Sequence, residues 1–129
     1  MQENHLFEYA VIRVVPHVER EEFINVGIVL FCAHEKFLKT LFELNEDRLK
    51  LLCDKLDLQE LKEHVTSFER ICAGGKDAGA IGKLPIAERF RWLTATRSTV
   101  LQTSKVHPGL CIDAGETLSK LYAQLVQKR

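Results

Sequence analysis

Arg89, Arg91, Arg97 and Ser98 are the nearest thing in this chain to a binding cluster. A guanidinium grips a phosphate through two parallel hydrogen bonds, and a neighbouring hydroxyl adds a further donor. The chemistry open to them is the holding of a phosphorylated small molecule at the Arg97–Ser98 corner, as substrate or as signal. Arg89 and Arg91, two residues apart, cannot share a helix face. One of them could point at the sheet while the other is solvated. Salt bridges to the acidic helices are the favoured reading of the cluster.

The other reactive residue types make weaker sets. His107 could serve as a general base oriented by Asp113, with Ser98 or Ser104 as nucleophile. No strained elbow of the G-x-S-x-G kind presents either serine. Gly82-Lys83 resembles the end of a phosphate-binding loop, but Asp77 stands where the first glycine belongs and Leu84 where magnesium needs a hydroxyl. Cys32, Cys53, Cys72 and Cys111 include no C-x-x-C pair. Cys32 lies near His34 and His107 near Cys111, yet the spacing makes no four-donor set, so neither metal nor cofactor is expected. Each cysteine sits in or beside an apolar stretch, which suits a buried thiol in a reducing cytoplasm.

Arg13 is out of place in an apolar strand. A buried guanidinium needs a carboxylate, and Glu21 or Glu22 could supply one. An ion pair fixing the acidic turn, or an edge position in water, ranks ahead of catalysis. Trp92, the only tryptophan, has Phe90 and Leu93 beside it and reads as core. Exposed next to Arg91, it would instead be a stacking platform or a partner anchor.

The segment Glu22-Phe23-Ile24-Asn25-Val26-Gly27-Ile28-Val29-Leu30-Phe31-Cys32 joins an acidic turn to a long apolar run. A run of this kind reads as a strand buried on both faces. Glycine weakens a strand and usually marks a bulge or the close approach of another backbone or a ligand. Asn25 and Gly27 therefore give up local stability without an evident folding reason.

The elements that must position these residues follow from periodicity. Phe7 to Pro16 alternates as a strand, with Ala10, Ile12 and Val14 on one face and Tyr9, Val11, Arg13 and Val15 on the other. Asn25 to Cys32 is the second strand and Phe37 to Leu44 the third, joined by the short turn Ala33-His34-Glu35-Lys36, which lacks the usual Gly or Asn. Asn45 caps a first helix carrying Leu49, Leu52, Cys53 and Leu56. Asp57 and Glu60 form a capping box for a second, striped by Leu58, Leu61, Val65, Phe68 and Ile71 and stopped at Gly74-Gly75. Gly74 to Leu84 is a loop. Pro85 opens a third helix with Ile86, Phe90 and Leu93 inward. Ser98 to Ser104 is a fourth strand that returns to an edge of the sheet or beside the first strand. His107-Pro108-Gly109 is a turn. Asp113 and Glu116 open a last helix with Leu118, Leu121, Tyr122 and Leu125 inward. The expected fold is α+β: an antiparallel sheet of about four strands in the order β-β-β-α-α-α-β-α, with helices packed on one face, as a single domain over residues 1–129.

Composition narrows the function classes. Eighteen basic and eighteen acidic residues leave no formal net charge, which argues against broad nucleic-acid coating or an acidic-membrane anchor. The charge is uneven. Five basic residues face one acid between Lys83 and Pro108, while six acids face three bases between Glu43 and Glu60. The first of these segments, with Trp92, keeps nucleic-acid binding open as an alternative. The polar N-terminus is unlike a signal peptide, and no apolar run approaches the roughly 18 residues that span a bilayer. A cytoplasmic protein with no membrane contact is expected.

Tyr9-x-x-x-Arg13-x-x-Pro16, Glu22-Phe23-Ile24-Asn25-Val26-Gly27-Ile28-Val29-Leu30-Phe31, Arg89-Phe90-x-Trp92-Leu93 and His107-Pro108-Gly109-Leu110 together resemble domain-of-unknown-function family 3037. The resemblance runs from about Phe7 to Val126, and E-F-x-N-x-G-x-x-L is its most specific part. It implies a small bacterial protein with no assigned activity, in some cases encoded beside a kinase-like protein, and it carries no catalytic residues. The expected function is a non-enzymatic interaction module that binds a protein partner through the Asn25–Gly27 region or an open sheet edge. Candidate contact residues are Arg13, Glu22, Asn25, Gly27, Arg89, Trp92, Arg97, Ser98 and His107. A phosphate-bearing small ligand at the arginines is the alternative.

Overall fold

The computed structural model describes residues 3–97 and 99–127, with the backbone alone at Val18. Strand β1 (His5–Val14) is its hub. β2 (Ile24–Cys32) pairs with it antiparallel from Glu8↔Phe31 to Val14↔Ile24, and β3 (Phe37–Phe42) pairs with β2 on the outside. The far flank of β1 is shared by two short strands. β5 (His107–Cys111) runs along His5–Tyr9, and β4 (Leu101–Thr103) runs along Ile12–Val14. Ser104 bridges the gap between them: its amide donates to the Val11 carbonyl at 2.8 Å, and its Oγ accepts from the Val11 amide at 2.9 Å.

The helices begin where their caps are. Asn45 accepts from the Arg48 amide ahead of α1 (Glu46–Leu52). Asp57 accepts from Glu60 ahead of α2 (Leu58–Ala73), and Asp113 from Glu116 ahead of α4 (Ala114–Tyr122). α3 (Ile86–Leu93) starts from Pro85, whose fixed φ and missing N–H suit that position. A π-helical turn, Ala123–Gln127, continues α4.

Two apolar clusters sandwich the sheet. On one face Ala10, Ile12, Val14, Val29 and Phe31 pack under Leu49 of α1, Leu61, Phe68 and Ile71 of α2, and Phe90 and Leu93 of α3. On the other, Phe7, Val11, Ile28, Leu30 and Cys32 pack under Ala114 and Leu118 of α4 and Val126 beyond it. Burying each large apolar side chain contributes about 1.5–3 kcal/mol, so this double layer is the main source of stability.

The α+β class and the antiparallel sheet agree with the sequence, and the fourth strand does return beside the first. Three details differ. The His107-Pro108-Gly109 segment is strand β5 instead of a turn, so the sheet has five strands. An edge strand tolerates proline, and Gly109 lies against the Phe7 ring, where a Cβ would come within 2.5 Å of Cζ. Helix α4 covers the face opposite α1–α3, because β2 is apolar on both sides and each side must be kept from water. β4 is also shorter than the stretch Ser98–Ser104. Among the described residues no helix is long and apolar enough to cross a membrane.

Candidate functional site

A β-bulge creates the most unusual corner of the molecule. Ile12 pairs with Gly27, but Arg13 pairs with Asn25, so Val26 is an extra residue in β2. In an unbroken strand Val26 would oppose Arg13, and Asn25 would face the α1–α3 core. The inserted residue exchanges them: Val26 drops into that core and Asn25 turns to the α4 face beside Arg13. Gly27 makes the bulge possible at close quarters, since a Cβ there would meet the Leu41 carbonyl oxygen at 2.6 Å. Gly27 is thus filled from within, by β3.

Asn25 and Arg13 are both left incomplete. The Asn25 amide nitrogen donates to the Leu125 carbonyl at 3.2 Å, which ties the end of the C-terminal helix to β2. Its Oδ1 is buried with no partner, and so is Arg13 Nε; among the described residues these are the two buried side-chain polar atoms in that condition. Such an atom costs about 1–3 kcal/mol, and native structures keep few of them. One is a donor and the other an acceptor, on residues directly opposite each other. The Arg13 guanidinium lies 4.0 Å over the ring of Phe23, which is 46% exposed. Burial lowers the Arg13 pKa, and among the described residues no carboxylate pairs with it to oppose that shift. Glu22 instead meets Arg20 at 2.6 Å, in the acidic turn where Glu21 holds a positive φ of 55°.

His107 joins the same face from β5. Its ring sits 5.3 Å from that of Tyr9, which shares a side of β1 with Val11 and Arg13. The structure therefore brings Arg13, Asn25 and His107 to one side of the sheet, with Phe23 and Tyr9 as members that sequence reasoning missed. Their signal was available in part: both are aromatics two or four residues from a candidate polar residue.

The C-terminal arginines go elsewhere and do not converge. Arg89 reaches the end of α2, where Nη1 donates to the Ile71 and Cys72 carbonyls, each at 2.8 Å, and Nε donates to Leu84 O at 3.1 Å. Arg97 does the same for α3, through the Leu93 and Trp92 carbonyls, with its guanidinium 4.1 Å over the Trp92 ring. Both complete helix C-termini, whose last carbonyls carry partial negative charge. Trp92 is 40% exposed and lines a cleft of about 220 Å³ with Arg97, His64 and Phe68. Ser98 lies outside the described residues. A larger groove, about 410 Å³, runs between β3 and the end of α2 and is edged by Lys36, Lys39 and Arg89.

One apolar patch stands apart from all of these. Leu6 and Leu110 are paired across β1 and β5 at the rim of the sheet and are 60% and 68% exposed, with Ile112 next to them.

These features define a three-layered α+β domain, helices on both faces of one sheet, with a bulged, incompletely satisfied strand pair at one corner and, among the described residues, no assembled catalytic set there. Residues 9–126 match the family described as protein of unknown function (DUF3037), and the chain belongs to that family. No curated protein and no solved structure matches it.

Proposed function

We propose that the protein is a non-enzymatic, cytoplasmic interaction module that binds a protein partner at the Arg13–Asn25 corner. One observation carries this reading. A buried donor and a buried acceptor on paired residues both lack partners beside the exposed ring of Phe23. When the Arg13 and Asn25 side chains turn outward, a backbone peptide unit or a carboxamide offers the complementary acceptor and donor, and an apolar side chain next to it would cover Phe23. Such pockets with satisfied polar contacts and an aromatic anchor are where binding energy concentrates. The four free cysteines suit a reducing compartment. The kinase-like neighbour implied by the family resemblance is the first partner to test.

The experiment places a photo-crosslinking residue at position 23 and, separately, at position 110 on the Leu6–Leu110 patch. The expected result is one stoichiometric protein adduct from position 23, lost on adding Arg13→Met or Asn25→Leu in folded protein. Adducts from position 110 alone, or adducts indifferent to both substitutions, would overturn the assignment.

A further inference from the structure

At the opposite end of β1 from Arg13, three potential metal donors meet. Cys32 closes β2, Cys111 closes β5, and Glu35 belongs to the turn between β2 and β3. Their Sγ and carboxylate oxygen atoms all lie within 4.8 Å of one another, and Cys32 Sγ is 4.0 Å from Glu35 Oε2. A tetrahedral zinc ion with Zn–S of about 2.3 Å and Zn–O of about 2.0 Å sets its donors roughly 3.5–3.8 Å apart. Closing the present cluster onto an ion needs side-chain shifts of under an ångström or so on that geometry.

We propose that Cys32, Glu35 and Cys111 form a binding site for a thiophilic divalent cation such as zinc(II). Two thiolates and a carboxylate are the donor set that selects zinc-like ions over magnesium or calcium, which prefer oxygen alone. The carboxylate is already oriented: Glu35 Oε2 accepts from the Ala114 amide at 2.9 Å, at the start of α4. Hydrogen bonds of this kind hold metal ligands in place. The turn that aims Glu35 contains Lys36 at a positive φ of 51°, a conformation lysine adopts at a cost. Both sulfurs are buried and Glu35 is exposed, so an ion approaches from the carboxylate side and the fourth coordination position faces solvent. Binding replaces the two thiol protons, which leave to water, giving a site of net charge −1 next to the positive end of α4.

Cobalt(II) titration of the full, reduced, metal-free chain tests the proposal. The expected result is one cobalt per chain, with a sulfur-to-cobalt charge-transfer band and the visible bands of tetrahedral coordination, displaced by zinc. Cys32→Ser and Cys111→Ser abolish the bands. Because those cysteines are buried, the exposed Glu35→Gln provides the second arm, with affinity reduced at least about tenfold. Zinc should also raise the melting temperature of the unaltered protein, as any ligand of the folded state does. Cys53, whose Sγ lies 3.7 Å from His17 Nε2, is the competing site, and Cys53→Ser should leave the bands unchanged. A folded, reduced protein without a thiolate–cobalt band overturns the proposal. So do bands that vanish with Cys53→Ser, or that keep full affinity in Glu35→Gln.

Discussion

Gly27 lies flush against Phe42, its partner across β2 and β3: a Cβ at position 27 would stand 2.9 Å from the ring and 2.6 Å from the Leu41 carbonyl oxygen. The ring is movable and the backbone oxygen is not. Gly27→Ala is therefore expected to lower the unfolding free energy by about 1–3 kcal/mol, as overpacking does. Urea titration should show a lower midpoint with an unchanged slope. Combining it with Phe42→Ala should recover nothing, because the clash with Leu41 O persists.

Arg89 is the residue that joins α2 to α3. Arg89→Met removes hydrogen bonds to Ile71, Cys72 and Leu84 and leaves part-buried carbonyls without that donor. A loss of about 2–3 kcal/mol is expected from charge-assisted hydrogen bonds of this number and burial. Arg91→Met, on the exposed side of α3, should stay within about 0.5 kcal/mol of the parent. Thermal or chemical melts of the two variants, side by side, separate a capping role from a general charge effect.

Arg13 should behave in the opposite way. Its Nε is buried without a partner, so removing the charge removes a penalty. Arg13→Met is expected to leave the stability of the free protein within about 1 kcal/mol of the parent or to raise it, since apolar replacements of unpaired buried polar groups are neutral or favourable. The same substitution should abolish partner capture. Asn25→Ala differs, because it also cuts the tie to Leu125 and should cost about 1 kcal/mol.

Burial pushes the Cys72 thiol up to about 12, with Arg89 lowering it and Glu69 raising it by smaller amounts. In the unfolded chain a thiol titrates near ~8.5. The folded state thus keeps its proton longer, and the stability linked to it is complete below about pH 8.5 and is lost as the pH rises toward 12. Each unit of difference is worth about 1.4 kcal/mol. Cys72→Ala should flatten the alkaline arm of a stability-against-pH curve, whatever it does to stability at neutral pH. In the native parent, Cys53, which is only half-buried, should react with a thiol reagent before Cys72.

Local chemistry was legible in the chain itself. Asn45, Asp57 and Asp113 cap helices because each side chain bonds an amide three residues on, a contact that spacing alone specifies. The strands β1 to β3 and the inward stripes of α2 and α4 follow from periods of two and 3.6 in the same way. The oddity of Asn25 and Gly27 was also visible, as polar and small residues in an apolar run. Its meaning was not. Whether Asn25 faces one core or the other depends on a single inserted residue, and the insertion exists only relative to the register of β1.

Tertiary structure decided the rest, wherever a residue's role depends on a partner distant in sequence. Arg89 reads as a salt-bridge partner of the acidic helices, or else a phosphate ligand, until Ile71 and Cys72, 18 and 17 residues away, take its donors. His107-Pro108-Gly109 reads as a turn until Phe7 supplies the ring that makes glycine acceptable in a strand. Glu35 and Ala114 meet across 79 residues, and with them Cys32 and Cys111. A sequence specifies which faces must be buried through short-range spacing. Which face buries which is settled only when the two apolar sides of β2 compete for cover, and α4 covers the side that α1–α3 leave open.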